Sequence, residues 1–219
     1  MKFLKKYLWL ICLIIGAIGS FIIMFLTPFQ IYIDTILKPT TQITVFMLVI
    51  FAIAFFPNKF KGVKHMYLLL IAAIFTFLCY IIPRISYYGF IGIPNGEPNC
   101  YDDFYHYLWL YLYPAIIVTT CFAYRINGGT PGRTIKLGAV PVIGLFSGLL
   151  DIIWPITNRL PLPEILEANH IRIIIGHWPT YREAVIFTIC HIPLAVIVLL
   201  LPMDKWFTKW GLLDESENM

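Results

Sequence analysis

Histidines and carboxylates gather at a few points from Asp102 onward in an otherwise apolar chain. Asp102, Asp103 and His106 fall together, and Glu167, His170 and His177 follow. Asp151 and His191 stand singly inside apolar runs. On a helix, Asp102 and His106 are i,i+4 and Asp103 and His106 are i,i+3, so either pair shares a face. A carboxylate and an imidazole on one face suit a transition metal such as Cu, Fe or Zn. They equally suit an oriented acid–base pair. The competing reading is that Asp102 or Asp103 caps the helix, where an acid is favoured at the positive end.

Pro163 through His177 predicts a second element. Pro163 suits the first helical position, and Glu164 and Glu167 suit the first turn. Glu167, His170, Ile174 and His177 then fall at i, i+3, i+7 and i+10, one stripe. The segment is too short and polar to span a bilayer, so it reads as an outer interfacial or re-entrant helix. Glu-x-x-His is the ligand pair of di-iron carboxylate bundles, where it recurs on two helices. Asp103-x-x-His106 is the nearest second copy. A solvated amphipathic loop helix explains the same pattern.

Asp151 lies in Gly148-Leu149-Leu150-Asp151-Ile152-Ile153-Trp154, apolar on both sides. A carboxylate at the centre of a span costs ~2.5–3.5 kcal/mol, and less near an interface. It should therefore face the protein interior with a partner: Arg159, Arg172 or a shared metal. His191 lies eight residues after Glu183 on roughly the same side of a helix. It reads either as a reserve ligand or as a hydrogen-bonded core residue.

These residues need elements to carry them, and composition says which. The chain has 219 residues, 59% hydrophobic and 13% charged, with a mean hydropathy of +0.79. Soluble domains are nearer ~45–50% apolar and ~25% charged. Apolar runs at about 7–27, 41–57, 66–82, 107–124, 138–154 and 184–202 approach the ~20 residues a bilayer core requires. Unpaired amides are not tolerated in lipid, so the runs must be helices, and the alternation of a barrel is absent. The expected fold is all-α: one integral membrane domain over 1–219, about six transmembrane helices and the outer interfacial helix. Pro57 and Pro83 end runs, Pro155 follows one, and Pro114, Pro141 and Pro193 lie within them. The first run is longer than a signal-peptide core and is not followed by a small-residue cleavage site, so it reads as a retained anchor.

The net charge of +4 does not indicate nucleic acid, because the basic residues flank apolar runs. With the N-terminus inside, Lys38, Arg84, Arg159, Arg172 and Arg182 are the outer five of 16 Lys and Arg, which leaves eleven inside. The positive-inside rule then puts both ends in the cytoplasm and the polar cluster at the outer face of the cell membrane. The five cysteines form no C-x-x-C pair, and four of them lie in apolar runs. A disulfide framework is not expected.

The loop Asn127-Gly128-Gly129-Thr130-Pro131-Gly132-Arg133 lacks phosphate-loop spacing and reads as a tight turn between crossings. Its Gly129-Thr130-Pro131-Gly132-Arg133 resembles a turn in small RDD-type membrane proteins. The stretch from Asp102 to His177 resembles one of the membrane subunits of copper-containing membrane monooxygenases. The shared features are Asp-x-x-x-His (Asp102, His106), then Tyr113-Pro114, then later histidines. That family's Asn-x-x-x-His with a following His is not reproduced. The second resemblance implies a copper monooxygenase-like component.

The leading expectation is a multi-pass membrane enzyme or enzyme subunit. Its outward-facing site would use Asp151 and His106 as catalytic groups. Asp102, Asp103, His106, Glu167, His170, His177 and His191 would be candidate metal ligands. The substrate would be a lipid or small apolar molecule. A small-solute transporter, or its substrate-binding membrane subunit, competes with this reading. So does a non-catalytic subunit associated with other membrane proteins.

Overall fold

The structure is a computed structural model that describes residues 2–23, 35–57, 85, 88–89, 94–96, 100, 104, 107–157 and 159–213. Side chains of 2–6 and 157 are not included. The described residues are helical apart from connections and one isolated antiparallel bridge, Ile165 to Thr180.

Helix α1 (Lys2–Phe21) packs along α2 (Leu37–Ala54) through two glycines one turn apart. A Cβ on Gly16 would lie 3.0 Å from Val49 Cγ2, and one on Gly19 would lie 2.8 Å from Val45 Cγ2. Small residues let backbones approach where no hydrophobic force drives helices together. The first turns of α2 are rich in threonine. Thr40, Thr41 and Thr44 donate to the carbonyls of Ile36, Leu37 and Thr40 at 2.7–2.8 Å, which pairs their hydroxyls locally. That suits a helix surrounded by lipid.

Residues Leu108–Leu112 form a π-helical turn that leads into α3 (Tyr113–Ile126). Pro114 has no N–H to offer the carbonyl four residues back. The backbone widens there, and Tyr113 N–H reaches Leu108 O, five residues back. Helix α4 (Pro131–Phe146) then runs against α2 and α3, with Ile50, Ile117, Cys121 and Val142 buried between them. Gly138 admits Ile50: a Cβ there would be 2.6 Å from Ile50 Cδ1.

The run expected as one crossing over 138–154 is broken. Helix α4 ends at Phe146, and α5 (Leu149–Thr157) leaves at 64°. Gly148, at φ +79°, makes the corner. Such a φ is open to glycine and costly for other residues. The polar groups at the break are paired. Ser147 Oγ donates to Gly144 O at 2.8 Å, and Thr188 Oγ1 donates to Ser147 O at 2.7 Å. Pro155, expected just past the crossing, lies inside α5.

The helix expected from Pro163 starts six residues later. Helix α6 covers Asn169–Ile175 only, closed by Gly176 in the left-handed conformation. Residues before it are extended. Leu166 N–H donates to Pro179 O, and Tyr181 N–H donates to Glu164 O. Pro161 and Pro163 bias the residues before them away from helix. The long-range pairing with 179–181 then takes the backbone groups. Glu167 therefore shares no helical stripe with His170, and His177 lies beyond the helix end.

Helix α7 (Tyr181–Leu200) opens with a capping box between Thr180 and Glu183, and a short α8 (Met203–Lys209) follows. Among the described residues, three helical segments are long and apolar enough to cross a membrane: Leu37–Ala54, Leu108–Ile126 and Tyr181–Leu200. The bent pair α4–α5 makes a fourth if it counts as one span. The apolar part of α1, Tyr7–Phe21, is shorter. The expected crossing at 66–82 lies outside the described residues, as do 24–27 of the first. Among the described residues the fold is thus all-helical, with three or four candidate membrane spans.

Candidate functional site

The break between α4 and α5 positions the first functional side chain. Asp151 sits in the opening turn of α5, where the helix dipole favours an acid. Helix α6 brings the second. Ile171 is fully buried in a cluster with Ile152, Leu166, Ala168 and Ala184, and this fixes the helix against α5 and α7. Gly148 leaves room for the approach. A Cβ there would meet Ile171 Cδ1 at 2.7 Å and His170 Nε2 at 3.5 Å.

With these elements seated, His170 Nε2 lies 3.7 Å from Asp151 Oδ2. The His170 side chain is 13% exposed and that of Asp151 is 33% exposed. The pair is therefore open on the carboxylate side. Nε2 of His170 is buried and makes no hydrogen bond among the described residues. Burial, and secondarily the charge of His191, push the His170 imidazole down to about 4 from its ordinary value near 6.5. It is neutral at pH 7.

Aromatic rings wall the pair. The Trp109 ring lies 6.5 Å from that of His170, centroid to centroid, and packs on Tyr113 at 5.5 Å and Phe146 at 5.9 Å. The π-helical turn before α3 sets the register of both Trp109 and Tyr113. The Tyr181 hydroxyl donates to Ile152 O at 3.0 Å, which ties α7 to α5 one residue past Asp151.

The structure places His170 beside Asp151, where an arginine or a shared metal is the expected partner. Arg172 lies over the Trp178 ring at 4.4 Å, and Arg159 is exposed. His177 pairs with Glu183 at 3.8 Å, with both side chains exposed. Exposed pairs of this kind contribute ~0–1 kcal/mol. Glu167 is exposed in extended chain. His191 Nδ1 bonds Phe187 O at 2.8 Å within α7, and its ring packs on Phe187 at 4.6 Å. A carbonyl only accepts, so Nδ1 carries the proton of this bond.

Asp102, Asp103 and His106 lie outside the described residues. Among the described residues, no three His, Cys, Asp or Glu side chains converge as a metal would require. The expected ligands Glu167, His170, His177 and His191 are thus not one set. From sequence alone, Trp109 reads as a membrane-interface residue with no link to His170. The only signal is the i,i+4 spacing of Trp109 and Tyr113 at the start of a helix.

The bundle and its site define a helical membrane protein with a half-buried Asp–His pair beside the corner where two half-helices meet. No family model, curated protein or solved structure matches the chain.

Proposed function

We propose that the chain is a multi-pass membrane enzyme, or the catalytic subunit of one, in which Asp151 and His170 form an acid–base pair. Its substrate is a lipid or small apolar molecule. The observation that carries this reading is the 3.7 Å approach of Asp151 Oδ2 to His170 Nε2. A gap of 3.7 Å is too long for a direct hydrogen bond. A water or substrate hydroxyl held at its mouth can bond both groups. One then takes the proton while the other steadies the charge that develops. The Trp109, Tyr113 and Phe146 rings supply the apolar wall for a hydrocarbon chain. With both ends cytoplasmic, as the basic loops favour, the pair lies in the outer half of the cell membrane.

A transition-metal form of this chemistry needs ligands beyond the described residues. Asp102, Asp103 or His106 would have to join Asp151 and His170. Elemental analysis of pure protein, before and after Asp151→Asn, tests that form directly.

The 64° break between α4 and α5 favours one second reading, that of a small-solute transporter. Interrupted helices whose half-helix ends face a central site are a common build for membrane transport sites. Proteoliposomes separate the two readings. The enzyme reading predicts conversion of added lipid or apolar substrate that Asp151→Asn and His170→Gln abolish, with no solute flux. Flux without conversion contradicts it.

A further inference from the structure

The short helix α8 sorts its side chains by chemistry. Asp204, Phe207 and Thr208 turn toward the protein, and Phe207 is 6% exposed among Ala54, Ile135 and Leu213. Lys205, Trp206, Lys209 and Trp210 all turn outward. At i, i+1, i+4 and i+5 they form one strip in which lysine and tryptophan alternate. The two indole rings lie 6.4 Å apart.

Three observations hold this strip at the end of the candidate span Tyr181–Leu200. Helix α7 ends at Leu200 and α8 begins at Met203. Two residues reach at most ~7 Å, so α8 cannot leave the end of the span. Asp204 clips it there: Oδ2 accepts from the Thr130 hydroxyl at 2.7 Å, and Oδ1 accepts from Gly132 N–H at 2.6 Å. Lys136 Nζ donates to Leu199 O at 2.7 Å, which joins the start of α4 to the last turn of α7.

We propose that the Lys205–Trp206–Lys209–Trp210 face binds the anionic phospholipid headgroups of the leaflet on which α8 lies. Indole rings settle at headgroup depth, and lysines beside them sit level with the phosphates. The charge is complementary because the one carboxylate of Met203–Lys209, Asp204, is turned inward and engaged by Thr130 and Gly132. Arg133, exposed at the start of α4 next to the clip, adds a further positive charge.

The test uses the full chain in nanodiscs of phosphatidylcholine with a minority of phosphatidylglycerol. The lipids that stay bound on release are counted by native mass spectrometry. The wild type should retain phosphatidylglycerol in preference to phosphatidylcholine. The double variant Lys205→Gln/Lys209→Gln should lose about fivefold of that preference per lysine, and Lys205→Arg/Lys209→Arg should keep it. High salt should weaken the preference, since the charges are exposed. An unchanged preference in the Gln variant overturns the proposal. So does an equal loss in the Arg variant.

Discussion

The Thr188 hydroxyl on α7 donates to the Ser147 carbonyl at the broken end of α4, 2.7 Å away and 41 residues back in sequence. Both residues are buried. The bond pairs a carbonyl that the α4–α5 corner frees from the helix. It also anchors α7 beside the elements that carry Asp151 and His170. Thr188→Val leaves that carbonyl unpaired, which costs ~1–3 kcal/mol. Unfolding in mild detergent should show the loss, and Thr188→Ser should recover most of it.

Gly148 and Gly144 should respond oppositely to alanine. At Gly148, φ is +79° and the new Cβ meets Ile171 Cδ1 at 2.7 Å. Left-handed backbone alone costs a Cβ-bearing residue ~1–2 kcal/mol, and Ile171 must also shift, taking His170 with it. Nothing lies within 4 Å of a Cβ at Gly144, inside α4. Alanine there should be neutral or stabilise by up to ~1 kcal/mol. Thermal unfolding of the two variants checks the contrast.

Legibility from sequence follows locality. The spans at α2, α3 and α7 are readable, because a long apolar run needs no partner to announce itself. The corner at Ser147-Gly148 is not, since Leu149 through Trp154 continues the apolar run and only the φ of Gly148 reveals the break. Asp151 is readable as a buried group in need of a partner. Which partner is not, because His170 reaches it only through the α4–α5 corner and the packing of Ile171. The helix expected from Pro163 fails for the same reason: its backbone pairs with 179–181, a contact that local pattern does not encode.

The C-terminal clip should be severable. Asp204→Ala removes acceptors for the Thr130 hydroxyl and the Gly132 N–H. Bonds to a carboxylate contribute ~1.5–3 kcal/mol, and less where water reaches them, as at this half-buried site. The expected result is faster proteolysis within 203–213 with the spans intact. Asp204→Asn should be milder, since its amide oxygen still accepts from Gly132.

Acid should weaken the fold through His170. Its folded value is pushed down to about 4, below the unfolded value near 6.5. The unfolded chain therefore takes the proton first. The contribution is complete above pH 6.5 and is lost as pH falls toward 4. Among the described residues, Asp151 and His191 are the titratable groups that act on it. Detergent-solubilised wild type should lose stability across that window more steeply than His170→Asn, as followed by chemical unfolding at stepped pH.

The pairing of Asp151 with His170 is tested most directly by nitrogen NMR of imidazole-labelled protein in micelles. His170 is expected to stay neutral as pH falls from 7, to titrate near 4, and to shift its ring nitrogen resonances in Asp151→Asn. A His170 whose ring nitrogen resonances and titration are unchanged in Asp151→Asn would contradict the pairing.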